Sequence, residues 1–95
     1  MVLGAFFFGS SAINIPSNSE LKTCTSPGVY RIPSESVAQT ITDVPYQTGG
    51  SLTFVITAYN NGNYVIQINV SSLGLYARRK TSSTNFGAWK SILDF

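Results

Sequence analysis

The chain has no histidine, and that absence removes a large share of enzyme chemistry. Neither a Ser-His-Asp triad nor a Cys-His pair can be assembled without an imidazole base. There is a single cysteine, Cys24, so no disulfide can form within the chain. One thiol and no imidazole also leave a zinc site without its usual ligands. Cys24 lies between two threonines with no basic neighbour to stabilise a thiolate, and reads as a small buried apolar residue. The four acids are Glu20, Glu35, Asp43 and Asp94, and none stands beside another. Glycoside hydrolysis needs two carboxylates flanking one bond, and nothing in the sequence pairs them. Gly49-Gly50 is a turn before a strand, not a phosphate-cradling loop, and no calcium-loop pattern occurs. The expectation is a non-enzyme without metal or cofactor.

Charge is scarce as well. Six basic residues face four acidic ones, for a net charge of +2. Three of the bases are adjacent, Arg78-Arg79-Lys80, which is a solvated strand end and too little for a nucleic-acid footprint. With 43% hydrophobic residues and so few charges, the surface must be built from Ser, Thr, Asn, Gln, Tyr and Gly. That composition suits extracellular and virion-surface proteins, whose uncharged polar faces bond to sugars or to one another. It also suits a chain that hides surface in a multimer. Ninety-five residues make one domain with a modest core.

The first nine residues are apolar but too short to span a bilayer, so no membrane insertion is expected. They lack the basic start of a signal peptide, although Ser10-Ser11-Ala12 resembles a weak cleavage site. The favoured reading is a strand or packed arm that a partner covers, with Phe6, Phe7 and Phe8 as a candidate oligomer interface. The expectation is an N-terminal arm followed by a β domain.

Within that domain, Pro27-Gly28 opens a strand over residues 28–32, which Pro33 stops by removing a backbone donor. Residues 20–23 suit one helical turn capped by Asn18 or Ser19, with Leu21 inward. Residues 40–43 suit an extended segment. Residues 51–59 are β-rich, with Leu52, Phe54, Ile56 and Ala58 on one face and Thr53, Val55, Thr57 and Tyr59 on the other. Asn61-Gly62 is a hairpin signal, because both residues tolerate positive φ. Residues 64–70 return, and after a second turn residues 73–79 form a third strand. The pattern is an antiparallel meander, and no segment has sustained helical periodicity.

Aromatic rings are the better lead to function. Sugars stack their C–H faces on rings while amides and guanidinium groups bond the hydroxyls. Tyr59 and Tyr64 flank the turn that holds Asn60, Asn61 and Asn63, which makes these five the candidate ligand-binding residues. The alternative is a plain hairpin. Tyr30, Tyr76 and Trp89 read as rings in the core or at a subunit interface.

The order of short motifs is more specific than any one of them. A Thr25-Ser26-Pro27-Gly28-Val29-Tyr30 opening is followed by a glycine-led strand from Gly50 and a strand holding Gln67. Then come Tyr76-Ala77-Arg78 and a closing Trp89. Over residues 18–95 this resembles the pyocin-knob type of domain of phage tail fibres, tailspikes and R-type pyocin fibres. Two departures stand out: Ile92 occupies the place of a second tryptophan, and the interval 34–49 lacks the usual "N-x-P" step, with Val44-Pro45 in about that place. The resemblance implies an all-β meander or sandwich knob over residues 18–95, trimeric, on an extracellular virion fibre, with residues 1–17 as an arm or shaft-linking segment. It implies contact with bacterial surface polysaccharide or lipopolysaccharide and with other fibre proteins, and no metal or cofactor. It makes Pro27, Gly28, Tyr30, Tyr76, Arg78 and Trp89 structural positions. It also places Arg78 near Trp89, where a cation–π contact of about 1 kcal/mol is expected. The alternative is a structural virion component, a fibre cap or decoration, with no receptor contact.

Overall fold

The computed structural model describes residues 12–57, 64–81 and 85–93. Among them, six strands form one sheet in chain order: β1 (Ile13–Asn14), β2 (Gly28–Ile32), β3 (Ser51–Thr57), β4 (Val65–Ser71), β5 (Gly74–Lys80) and β6 (Lys90–Leu93). The all-β expectation holds, and β2 to β5 run as the antiparallel meander. β5 and β6 are also antiparallel, with an irregular register at Leu75 and Tyr76. Only β1 and β2 are parallel, and the chain must therefore cross over between them. Ser72 and Leu73 close a two-residue hairpin between Ser71 and Gly74.

The sheet begins inside the segment expected to be an arm. Ile13 and Asn14 pair with Tyr30 and Arg31, and Ile15 is 4% exposed within the core. Residues 1–11, including Phe6, Phe7 and Phe8, lie outside the described residues.

The crossover after β1 and the long connection from Pro33 to Gly50 both lie on one face of the sheet. They supply Ile15, Leu21, Ala38, Ile41 and Val44, which pack with Ile32 as the core cluster. This covering layer is mostly irregular chain. It holds one 3₁₀ turn, Leu21–Thr23, and one short helix, α1 (Glu35–Ala38). Four residues are too few to show helical periodicity, so only Pro33 and the Ser34 cap mark α1 in the sequence; the Ser34 hydroxyl accepts from the Val37 N–H. Residues 40–43 are turn rather than extended, because the Thr40 and Ile41 N–H groups continue the helical pattern to Val37 and Ala38. The turn at 21–23 forms where expected, with Leu21 fully buried, but neither Asn18 nor Ser19 caps it. Asp43 accepts from the Leu21 and Lys22 N–H groups instead, at 2.7 Å each. Re-entry into β3 passes over Ile32 so closely that a Cβ on Gly50 would stand 2.8 Å from the Ile32 carbonyl oxygen. Only glycine fits that approach.

The two sheet faces are unlike. Facing the covering layer are Thr53, Val55, Val65, Gln67, Asn69 and Arg78, all buried. Facing away are Leu52, Phe54, Ile66, Ile68, Val70 and Leu75, all half-buried, with Ile56 50% exposed and Val29, opposite Phe54, the buried exception. The more polar face is therefore the buried one. An irregular covering layer presents backbone groups that no ladder satisfies, so the sheet beneath must supply partners. Gln67 donates to the carbonyls of Leu21 at 2.6 Å and Cys24 at 2.9 Å. Thr57 donates to the Thr25 carbonyl at 2.7 Å. Asn69 ties Ser51 and Thr53 together across two strands. Among the described residues no buried side-chain nitrogen or oxygen lacks a partner.

Candidate functional site: an arginine clamp beside a polar cleft

Arg78 sits near the middle of β5 on the covered face, 9% exposed, so the expected solvated strand end does not include it: alternation turns Arg78 inward while Arg79 faces water. Burying a guanidinium is costly unless each charged edge finds a partner. Nε donates to Gln67 Oε1 at 2.8 Å, and Nη2 donates to Asp43 Oδ2 at 2.9 Å. Asp43 is a matching acceptor: its two carboxylate oxygens also take the Leu21 and Lys22 N–H groups. Arg78 and Asp43 together thus fasten β5, β4 and both halves of the covering layer.

Two rings close over the guanidinium. Its carbon lies 4.5 Å from the centroid of Trp89 and 4.5 Å from that of Phe86. The expected cation–π contact with Trp89 is present, and Phe86 adds a second contact that the motif order does not reveal. The Trp89 indole N–H donates to the Asp43 carbonyl at 2.7 Å, which fixes the ring. The Gly87 N–H donates to the Arg79 carbonyl, holding this segment against β5.

Beside the clamp lies an open polar cleft of about 390 Å³. Glu20 and Lys22 come from the crossover, Lys80 follows Arg78 on β5, and Asn85 and Phe86 close the far side. Glu20 and Lys22 are both well exposed and stand 3.6 Å apart. Lys80 Nζ lies 5.7 Å from the Phe86 ring centroid. Toward the other sheet face is a more apolar depression of about 500 Å³, lined by Ile66, Ala77, Gly87, Ala88 and Ile92, with Arg78, Arg79 and Lys90 among its walls.

The sequence-predicted positions separate accordingly. Tyr59, Asn60, Asn61 and Asn63 lie outside the described residues. Tyr64 is half-buried just before β4. Pro27 and Gly28 open β2. The Tyr30 hydroxyl donates to the Ser26 carbonyl at 2.9 Å, and its ring packs on the core cluster. Tyr76 meets Tyr46 edge to face, with 2.6 Å between the hydroxyls. Asp43, Gln67 and Phe86 escaped the residue-by-residue reading. Gln67 carried the one usable signal, its place in the motif order as the glutamine of the second hairpin strand.

The nucleophile inventory is poor here too. Burial pushes the Cys24 thiol up, and a hydrogen bond with Thr23 opposes this only in part. A thiol so placed is a weak nucleophile. Among the described residues no three Cys, Asp or Glu side chains gather as a metal site, and no helix is long and apolar enough to cross a membrane.

No family model and no curated protein matches the sequence. Solved structures do. The chain superimposes on a C-terminal fragment of the R1 pyocin fibre of P. aeruginosa with a TM-score of 0.78 at 17% identity, covering 99% of this chain and 24% of that one. An N-truncated R2-type pyocin tail fibre matches with a TM-score of 0.75 at 16% identity, covering 88% of this chain and 32% of that one. A C-terminal fragment of the P. aeruginosa R2 pyocin fibre matches at the same TM-score and identity, over 22% of its length. The chain therefore spans a third or less of those fibre fragments, and it shares its fold with a segment of pyocin tail fibres.

Proposed function

We propose that this chain is a non-enzymatic module of a phage or phage-like tail fibre, carried on the outside of the particle, that attaches to a bacterial surface glycan. The observation that carries the reading is the fold likeness to pyocin tail fibres over 88–99% of the chain. The charge-poor surface supports it, as does a polar cleft with an aromatic wall, the kind of lining that holds sugars. The exposed apolar sheet face supports assembly. Copies that pack through Leu52, Phe54, Ile66 and Ile68 would remove it from water, and a fibre trimer is the form we propose.

That same face favours a second reading, a structural fibre component that packs against other virion proteins without touching the host. Adsorption decides between them. The fluorescently labelled full chain is incubated with whole cells and with purified envelope polysaccharides from a panel of bacteria. Saturable binding to at least one envelope, competed by its own polysaccharide, is expected. A properly assembled chain that binds none of them would overturn the attachment reading and leave the structural one.

A further inference from the structure

We infer that the cleft beside Arg78 is a site for an acidic sugar, one bearing a carboxylate or phosphate. This rests on the attachment reading and names the ligand chemistry. Three cations and two acids line the cleft: Lys22, Arg78 and Lys80 against Glu20 and Asp43. The acids are unequal to the task of neutralising them. Asp43 is already committed to two backbone N–H groups and to Arg78, with its side chain 17% exposed. Among the described residues the Glu20 carboxylate pairs with Lys22 alone, at 3.6 Å and largely in water. Lys80 has no carboxylate within 4 Å among the described residues, and its ammonium lies 5.7 Å from the Phe86 ring centroid. The ammonium thus stands over an aromatic wall at the mouth of a cleft with a net positive lining.

Each part matches a piece of an acidic sugar. Lys80 and Lys22 approach from opposite elements, β5 and the crossover, and can bracket one anionic group. Asn85 offers an amide to ring hydroxyls, and Phe86 offers an apolar ring to the sugar's C–H groups. The clamp makes the wall rigid, because Arg78 holds Phe86 from behind and is itself held by Asp43 and Gln67. A volume of about 390 Å³ lies at the small end of ligand sites, which fits one or two sugar units rather than a peptide or a nucleic-acid strand.

The test is titration of the full chain, followed by NMR shifts and calorimetry at low ionic strength. The probes are a uronic-acid disaccharide, glucose 6-phosphate, maltose and inorganic phosphate. Binding of the uronate or the sugar phosphate, but not of maltose, is expected, with shifts at Lys22, Lys80, Asn85 and Phe86. The first two probes separate a carboxylate ligand from a phosphate ligand. Lys80→Gln should weaken binding about five-fold, and Glu20→Gln should strengthen it about two-fold, as exposed charge pairs do. Lys90→Gln, on the other sheet face, should change nothing. Equal binding of maltose, or inorganic phosphate as tight as the sugar phosphate, overturns the inference. So does wild-type adsorption to cells that survives a Lys22→Gln/Lys80→Gln double variant, a result that leaves the attachment reading standing. Failure of the wild type to adsorb to any envelope sinks the attachment reading, and the purified sugars then judge the cleft by themselves.

Discussion

The two faces of the sheet use opposite chemistry for the same strands. The covered face buries Gln67, Asn69, Thr53 and Arg78, while the open face leaves Ile56 and its apolar neighbours part-exposed. The difference comes from what lies above each. A helix or a second sheet satisfies its own backbone, and a sheet beneath it can be wholly apolar. Here the cover is loop, and its carbonyls and N–H groups need partners from below. The polar side chains hold an irregular layer in one arrangement, and the cleft is set in that layer. The open face, with no loop layer above it, needs no such chemistry.

Arg78→Ala tests the covered face hardest. It strands the Asp43 carboxylate and Gln67 Oε1 and removes the plate between Phe86 and Trp89. Breaking one side of a buried pair costs about 3–5 kcal/mol. Urea unfolding of the variant should show a loss of that size. A loss below about 1 kcal/mol would mean that the pair behaves as a surface bridge.

The sharpest inversion compares Gln67→Leu with Ile56→Thr. Ordinarily the polar-to-apolar change inside and the apolar-to-polar change outside are both benign. Gln67→Leu should instead cost about 1–3 kcal/mol, because the Leu21 and Cys24 carbonyls and Arg78 Nε all lose a partner. Ile56→Thr should change the unfolding free energy of the separated chain by no more than about 0.5 kcal/mol, since the side chain is half exposed. Its effect should appear as weaker self-association by light scattering, if copies pack through this face. Equal costs for the two changes would erase the distinction between the faces.

Much of this was legible in the sequence, and the illegible part has a physical cause. Alternation and turn residues marked residues 28–32 and the three strands from Ser51 onward, because a strand's pattern and its breakers are local. Arg78 and Trp89 were readable as partners through motif order. Asp43 was not, since it acts across 35 residues on a strand it does not neighbour. Nor was the choice of buried face. Leu52, Phe54, Ile66 and Ile68 make the more apolar stripe, and hydrophobicity alone would turn that stripe inward. Deciding otherwise requires knowing that the covering layer is loop and has unspent backbone groups. The turn at Asn60–Asn63 lies outside the described residues, while the cleft draws on residues from 20 to 86, a grouping that only the crossover brings about.

The smallest expected effect concerns how dry the covered face is at its margin. Burial raises the Cys24 thiol and, more weakly placed at the rim of the layer, the Tyr30 phenol. Both groups are neutral in the fold at pH 7, and both release protons more readily from the unfolded chain. Between the unfolded and folded values the native state therefore binds more protons, and stability falls as pH rises. The loss should begin near the ordinary thiol range, at about pH 8.5, with the phenol adding to it near pH 10. Cys24→Ala removes the first part. Urea midpoints for wild type and variant should therefore converge between pH 7 and pH 9.5, the wild type losing ground. The native thiol should also react slowly with a disulfide reagent at pH 8 until urea opens the layer. Parallel midpoint curves and a fast native reaction would together show that water already reaches Cys24, and that the loop layer is held by its polar fastenings without being sealed by them.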